Sequence, residues 1–152
     1  MSVDEGRGLH GAIAQLDALL LMPIVSGELL ERLNGLQRAC AELQRVVRMQ
    51  ASGCRRELYN AMTDQHASLH ARVEQLRIED ERLLANAERL HRSIARLVRY
   101  CTAIVSDEHR AKSSVERMTR RGLEFLTRMR KQEAAIDTWY VEAFNRDLGV
   151  VD

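Results

Sequence analysis

The chain has 152 residues, 30% of them charged and only 4% aromatic, with a formal net charge of +1. That length suits one domain with a real core. The composition favours helices over sheets, and a near-neutral total excludes any overall pull toward nucleic acid or an anionic membrane.

Residues 1–8 read as a loose start. Leu9, Ile13, Leu16 and Leu20 then make a short amphipathic helix that Pro23 stops. The apolar run Leu16–Val25 is too short to span a bilayer and contains Asp17 and Pro23, so no membrane span is expected. No basic segment precedes it, so no secretory signal is expected either. Ser26 offers an N-cap for a second helix, with Gly27 and Glu28 in its first turn.

From there Leu29, Leu33, Leu36, Cys40, Leu43, Val47, Gln50 and Cys54 recur at alternating steps of three and four. That is the heptad seam of a helix packed against partners. A third seam runs through Leu69, Val73, Leu76, Asp80, Leu83, Ala87, Leu90, Ile94, Leu97, Cys101 and Ile104. The chain must turn between the two. Ser52-Gly53 is the strongest breaker, and Thr63-Asp64 offers an N-cap further on. A turn at 63–65 gives three long helices of similar length and is preferred over one at 51–54, which stays open. Ser106-Asp107 marks the last turn. The final seam is Val115, Met118, Gly122, Phe125, Met129, Gln132, Ile136, Trp139 and Ala143, with Gly149 a stop and 149–152 a loose end. The expectation is an all-α antiparallel helical bundle or coiled coil in a single domain over 1–152, with three long helices and one short N-terminal helix.

Cys40, Cys54 and Cys101 are odd in number and lack C-x-x-C spacing, which fits a reducing, cytoplasmic compartment. Arginine outnumbers lysine 21 to 2, the usage of a GC-rich genome, and a bacterial source is expected. Phosphate-binding glycine loops, H-E-x-x-H and G-x-S-x-G are absent, so no enzyme is expected. His66 and His70, with Glu74 a turn on, share a helix face, but a solvated pair is the simpler account than a metal site.

Four polar residues occupy seam positions: Gln50, Cys54, Asp80 and Gln132. With turns near 64 and 107, counting at about 1.5 Å per residue sets them at similar heights. They form a polar layer that either fixes register or holds a ligand.

Residues 89–131 carry 12 Lys/Arg against 4 Asp/Glu. Arg89, Arg92, Arg96 and Arg99 recur at helical spacing, and Arg117, Arg120, Arg121 and Arg128 follow on the next helix, suiting an acidic partner. Nucleic acid is not expected, because aromatics for base stacking are nearly absent. Trp139, Tyr140 and Phe144 either cap the core against the first helix or form a docking patch.

The stretch Glu57-Leu58-Tyr59-Asn60-Ala61-Met62, then Arg72 to Arg77 and Glu79-Asp80, resembles the middle of hemerythrin-like cation-binding domains. Gln132 through Asp137-Thr138-Trp139-Tyr140 resembles their last helix. About half the chain is covered. The resemblance implies iron ligands at Gln50, Cys54, Asp80, Gln132 and Asp137, but only Asp137 keeps a ligand type of the family. Glutamine replaces histidine twice, cysteine replaces glutamate, and aspartate replaces histidine.

The leading expectation is a non-catalytic protein–protein interaction module, an adaptor, chaperone or assembly factor that docks through helix faces and its basic end at 89–131 and self-associates. No cofactor or metal is expected. The alternatives are a ligand- or metal-binding bundle that uses the polar layer, and a weak binder of nucleic acid or anionic surfaces.

Overall fold

The computed structural model describes residues 3–103 and 108–145, with side chains of 3–7 and 108 left aside. Helices α1 (Val3–Leu21), α2 (Leu29–Ser52), α3 (Cys54–Gln65), α4 (His70–Ala103) and α5 (Glu108–Asn145) follow one another, with a 3-10 turn at Ala67–Leu69 before α4. This is the expected all-α antiparallel bundle. Among the described residues no helix is long and apolar enough to cross a membrane.

Packing order follows from the cross-helix contacts. Gly35 of α2 lies beside Leu19 and Gly8 of α1 beside Val46, so α1 and α2 run antiparallel. The pair Arg48–Glu88 ties α2 to α4, and Arg77–Asn60 ties α3 to the same helix. Hence α2 and α3 together form one interrupted rod against α4. Arg128–Glu79 joins α5 to α4, and Arg130–Asp17 joins it to α1.

Gly53 breaks the rod without reversing it. The reversal comes at His66, where the backbone turns extended (φ −142, ψ 108). The preferred turn near 64 is therefore right to within a few residues, but Thr63 is not its cap. Its hydroxyl donates to the Tyr59 and Asn60 carbonyls within α3. The interruption has a consequence for packing. While α2 sits across the bundle from α5, α3 packs against α5 directly.

Two apolar clusters result. The larger joins α1, α2, the middle of α4 and the first half of α5, around Leu16, Leu33, Leu36, Leu43, Ile94 and Leu126. The smaller joins α3, the start of α4 and the end of α5, through Tyr59, Met62, Leu69, Val73, Leu76, Ile136 and Ala143. Every residue of the last seam is buried except Trp139, which is half-buried.

Three helix starts differ from expectation. α1 begins at Val3, inside the segment read as loose, because extending a helix upstream of a packed turn costs far less than nucleating one. α2 begins at Leu29 with Glu28 as its cap, because Gly27 sits at φ +87 and so outside the helix. Asp64 falls within α3 rather than before α4. The expected turn at Ser106-Asp107, Ile104 of the third seam and the end at 149–152 lie outside the described residues. α1 ends one residue before Met22-Pro23, and Arg32 reaches across from α2 to donate to the Leu20 carbonyl at 3.1 Å and to that of Met22.

Candidate functional site

Two polar features stand out from this scaffold. The first is the layer between the two apolar clusters. Asp80 takes a core-seam position on α4, Gln132 one on α5, and Gln50 lies at the end of α2. Gln132 is buried and donates to both the Leu76 carbonyl and Asp80 Oδ1, each at 2.9 Å. Tyr59 donates its hydroxyl to Asp80 Oδ2 at 2.5 Å.

Arg55, in the first turn of α3, enters the same layer. Its Nε lies 3.6 Å from Asp80 Oδ2, and its Nη2 pairs with Glu133 and reaches Gln50 Oε1 at 3.4 Å. The side chains of Arg55, Asp80 and Glu133 are 13%, 18% and 23% exposed. Burial works against the Arg55 charge, yet the Glu133 and Asp80 carboxylates outweigh it and raise its pKa. Burial, then the bond to Asp80, raises that of the Tyr59 hydroxyl. At neutral pH the Tyr59 phenol therefore keeps its proton and the Arg55 guanidinium its charge. A cavity of 30 Å³ adjoins the layer beside Gln50 and Glu133, and an open hollow of 230 Å³ adjoins it beside Arg55, Tyr59, Arg77 and Asp80.

Counting along the sequence finds Gln50, Asp80 and Gln132 but misses Arg55, Tyr59 and Glu133. The usable signal is that a carboxylate at a core position demands donors. Cys54 is half-buried at the start of α3, and Asp137 is exposed on α5. Among the described residues no group of three or more His, Cys, Asp or Glu side chains is placed to hold a metal. Of the iron ligands implied by the hemerythrin-like resemblance, Gln50, Asp80 and Gln132 meet in the layer, while Asp137 is exposed on α5. A guanidinium lies among the carboxylates where a metal ion would have to sit, so the residues do not fit that centre.

The second feature is a groove of 590 Å³ between α4 and α5. Its walls carry Arg89 and Arg96 from α4 and Arg117, Arg121 and Arg128 from α5, with Glu124 the one carboxylate among the described residues that line it. Leu90, Leu97, Met118 and Phe125 form the floor. Arg128 is tied to Glu79 at 2.6 Å. Arg89 donates to Asn86 and Arg117 to Ser114. Among the described residues no carboxylate pairs with Arg89, Arg96, Arg117 or Arg121.

No family model, curated protein or solved structure matches this chain. What the residues do must be argued from their geometry.

Not all of the expected basic face shares the groove. Arg92, Arg99 and Arg120 are exposed but do not line it. A three-residue step falls about 60° short of a full turn, which carries Arg92 and Arg99 round toward the α2 side of α4. There Arg92 donates to the Glu88 carbonyl, while the Glu88 carboxylate is taken by Arg48 at 2.7 Å. That bond from Arg48 lowers the Glu88 pKa.

The C-terminal aromatics divide likewise. Trp139 and Phe144 pack on the smaller cluster beside Leu58 and Ala135, so they close the α3 end and not the face of α1. Tyr140 stacks on Phe144 with centroids 4.6 Å apart, its own ring exposed, and Arg72 lies 5.1 Å over Trp139. His66 is half-buried at the α3–α4 junction, while His70 and Glu74 are exposed. Burial pushes the Cys40 thiol up to about 12, leaving it a packing group.

Proposed function

We propose that this chain is a non-catalytic helical docking protein that takes an acidic protein partner in the α4–α5 groove. The observation that carries this reading is the set of four arginines on both walls, Arg89, Arg96, Arg117 and Arg121, without carboxylate partners among the described residues. Like charges held along one cleft repel each other, and that repulsion is relieved when carboxylates enter between them.

The groove's chemistry favours a protein over nucleic acid. Its one aromatic, Phe125, is 5% exposed and packed into the larger cluster. Tyr100 lies on α4 but outside the lining, so no platform for base stacking faces the arginines. Serines 93 and 114 line the groove without a histidine beside them in the lining, which supports a binding role over acyl transfer. The polar layer then has the structural task of fixing helix register. Three free cysteines suit a reducing cytoplasm. An adaptor, chaperone or assembly factor would be built this way, and self-association is compatible with it.

The test is affinity capture from source-cell extract with and without nuclease, comparing the native chain with an Arg96→Glu/Arg117→Glu/Arg121→Glu variant. A stoichiometric acidic protein that survives nuclease and is lost on charge reversal is the expected result. Recovery that follows the nuclease, or that ignores the arginines, overturns the reading.

A further inference from the structure

We infer that the occupant of the α4–α5 groove is itself a helix, amphipathic and acidic, laid in as an added strand of a coiled coil. This rests on the acidic-docking reading and specifies the partner's chemistry and shape. The argument comes from the spacing of the groove's own residues.

The floor residues repeat in heptads. Leu90 and Leu97 are seven apart on α4, as are Met118 and Phe125 on α5. The register between the helices is set by Arg128–Glu79 and by Gln132 on the Leu76 carbonyl. Continuing that register places Met118 beside Leu90, Phe125 one heptad toward the polar layer and Leu97 one heptad away from it. The floor is thus an apolar ladder of three rungs, each about 10 Å from the next. Leu97 is its half-buried rung, while Leu90, Met118 and Phe125 show the groove only a small edge, 6% exposed or less. A helix whose apolar residues recur every 3.5 positions meets such a ladder rung for rung. An extended strand, with side chains alternating every second residue, does not.

The walls keep the same period. Arg89 and Arg96 are seven apart on one side, and Arg121 and Arg128 are seven apart on the other, with Arg117 a turn before Arg121. In the register of the seams Arg121 and Arg128 are g positions and Arg89, Arg96 and Arg117 are c positions, so they flank the ladder on both sides, where opposite charges on a neighbouring helix select the partner. Glutamates or aspartates flanking the occupant's apolar stripe would meet one wall each. The lined stretch runs from Asn86 to Leu97 on α4 and from Ser114 to Arg128 on α5. That is about 17–21 Å, or roughly three to four helical turns.

Two peptide probes test this against the full-length protein. One has about 18 residues, roughly 27 Å as a helix, with leucine at each a and d position and glutamate at each e and g. The other has the same composition shuffled so that no heptad survives. Fluorescence anisotropy gives the affinities, and circular dichroism gives the helix gained on binding. The heptad peptide is expected to bind at least about tenfold more tightly than the shuffled one and to become helical. Arg96→Glu/Arg121→Glu, changes at exposed positions, should abolish its binding, while Leu97→Gln should narrow the gap between the two peptides. Equal binding of both peptides, still sensitive to the arginines, overturns the helix and leaves acidic docking standing. Binding of neither peptide, or binding indifferent to charge reversal, overturns both.

Discussion

Asp80 stands where the α4 seam calls for an apolar side chain, and its neighbours are arranged to meet that demand. One oxygen accepts from Gln132 and the other from Tyr59, with Arg55 behind. A buried carboxylate is tolerable only when its lone pairs are filled and its charge is answered. Tyr59→Phe removes one donor. It should cost about 1–2 kcal/mol at pH 7, toward the low side for a bond to a charged acceptor because two other partners remain. The pH dependence reports the phenol's proton, held first by burial and then by the bond to Asp80. The Tyr59 pKa is raised in the folded chain above its ordinary 10.0. Its contribution is therefore fully present below pH 10 and is lost as pH climbs toward the folded value, by up to about 1.4 kcal/mol per pH unit. The gap in urea midpoint between native protein and Tyr59→Phe should narrow from pH 9 to pH 11. A constant gap over that range would rule out the phenol–carboxylate bond as its source.

Among the elements, the placing of α1 depends on one small residue. Gly122 occupies a seam position on α5, and a Cβ there would fall 2.8 Å from Leu20 Cδ1 and 3.1 Å from Cδ2. Alanine gains up to about 1 kcal/mol of helix propensity, but forcing a buried leucine aside costs about 1–3 kcal/mol. Gly122→Ala should therefore lose about 1 kcal/mol. The balance reverses where the clash is absent. In a Leu20→Ala background the same substitution should stabilise, and a double-mutant cycle in urea reads the coupling directly. Additive effects would mean that α1 does not approach α5 as closely as this. The seams themselves were legible because heptad spacing survives in the residues that pack. Gly122 was legible as a seam position but not as a contact, since nothing in α5 says that Leu20 fills it. Gly53 shows the same limit: its propensity marks a break, but only the α3–α5 packing decides between a reversal and an interruption.

On the scale of the molecule, the polar layer divides the bundle into unequal parts. Three of its residues could be found by counting from the turns, because equal rise per residue sets heights. Arg55 and Glu133 could not, because they flank the seams and their roles depend on helix rotation. Among the described residues the larger cluster has 22 buried members and the smaller 7. α1 contributes to the first alone, with Leu9 already lining the cavity at the polar layer. Apolar burial is the main term opposing chain entropy, so the end built from α3, the start of α4 and the end of α5 has less to hold it. That end should open without the rest. Amide hydrogen exchange is then expected to be faster in segments 56–76 and 134–145 than in 31–47 and 83–97, which are reached only by global unfolding. The basic groove lies wholly on the well-protected side, from Asn86 to Leu97 and from Ser114 to Arg128. A docking ladder needs rungs that keep their spacing, and the larger cluster supplies that rigidity. Uniform exchange across all four segments would mean that the polar layer couples the two parts into one cooperative unit, and the division argued here would fail.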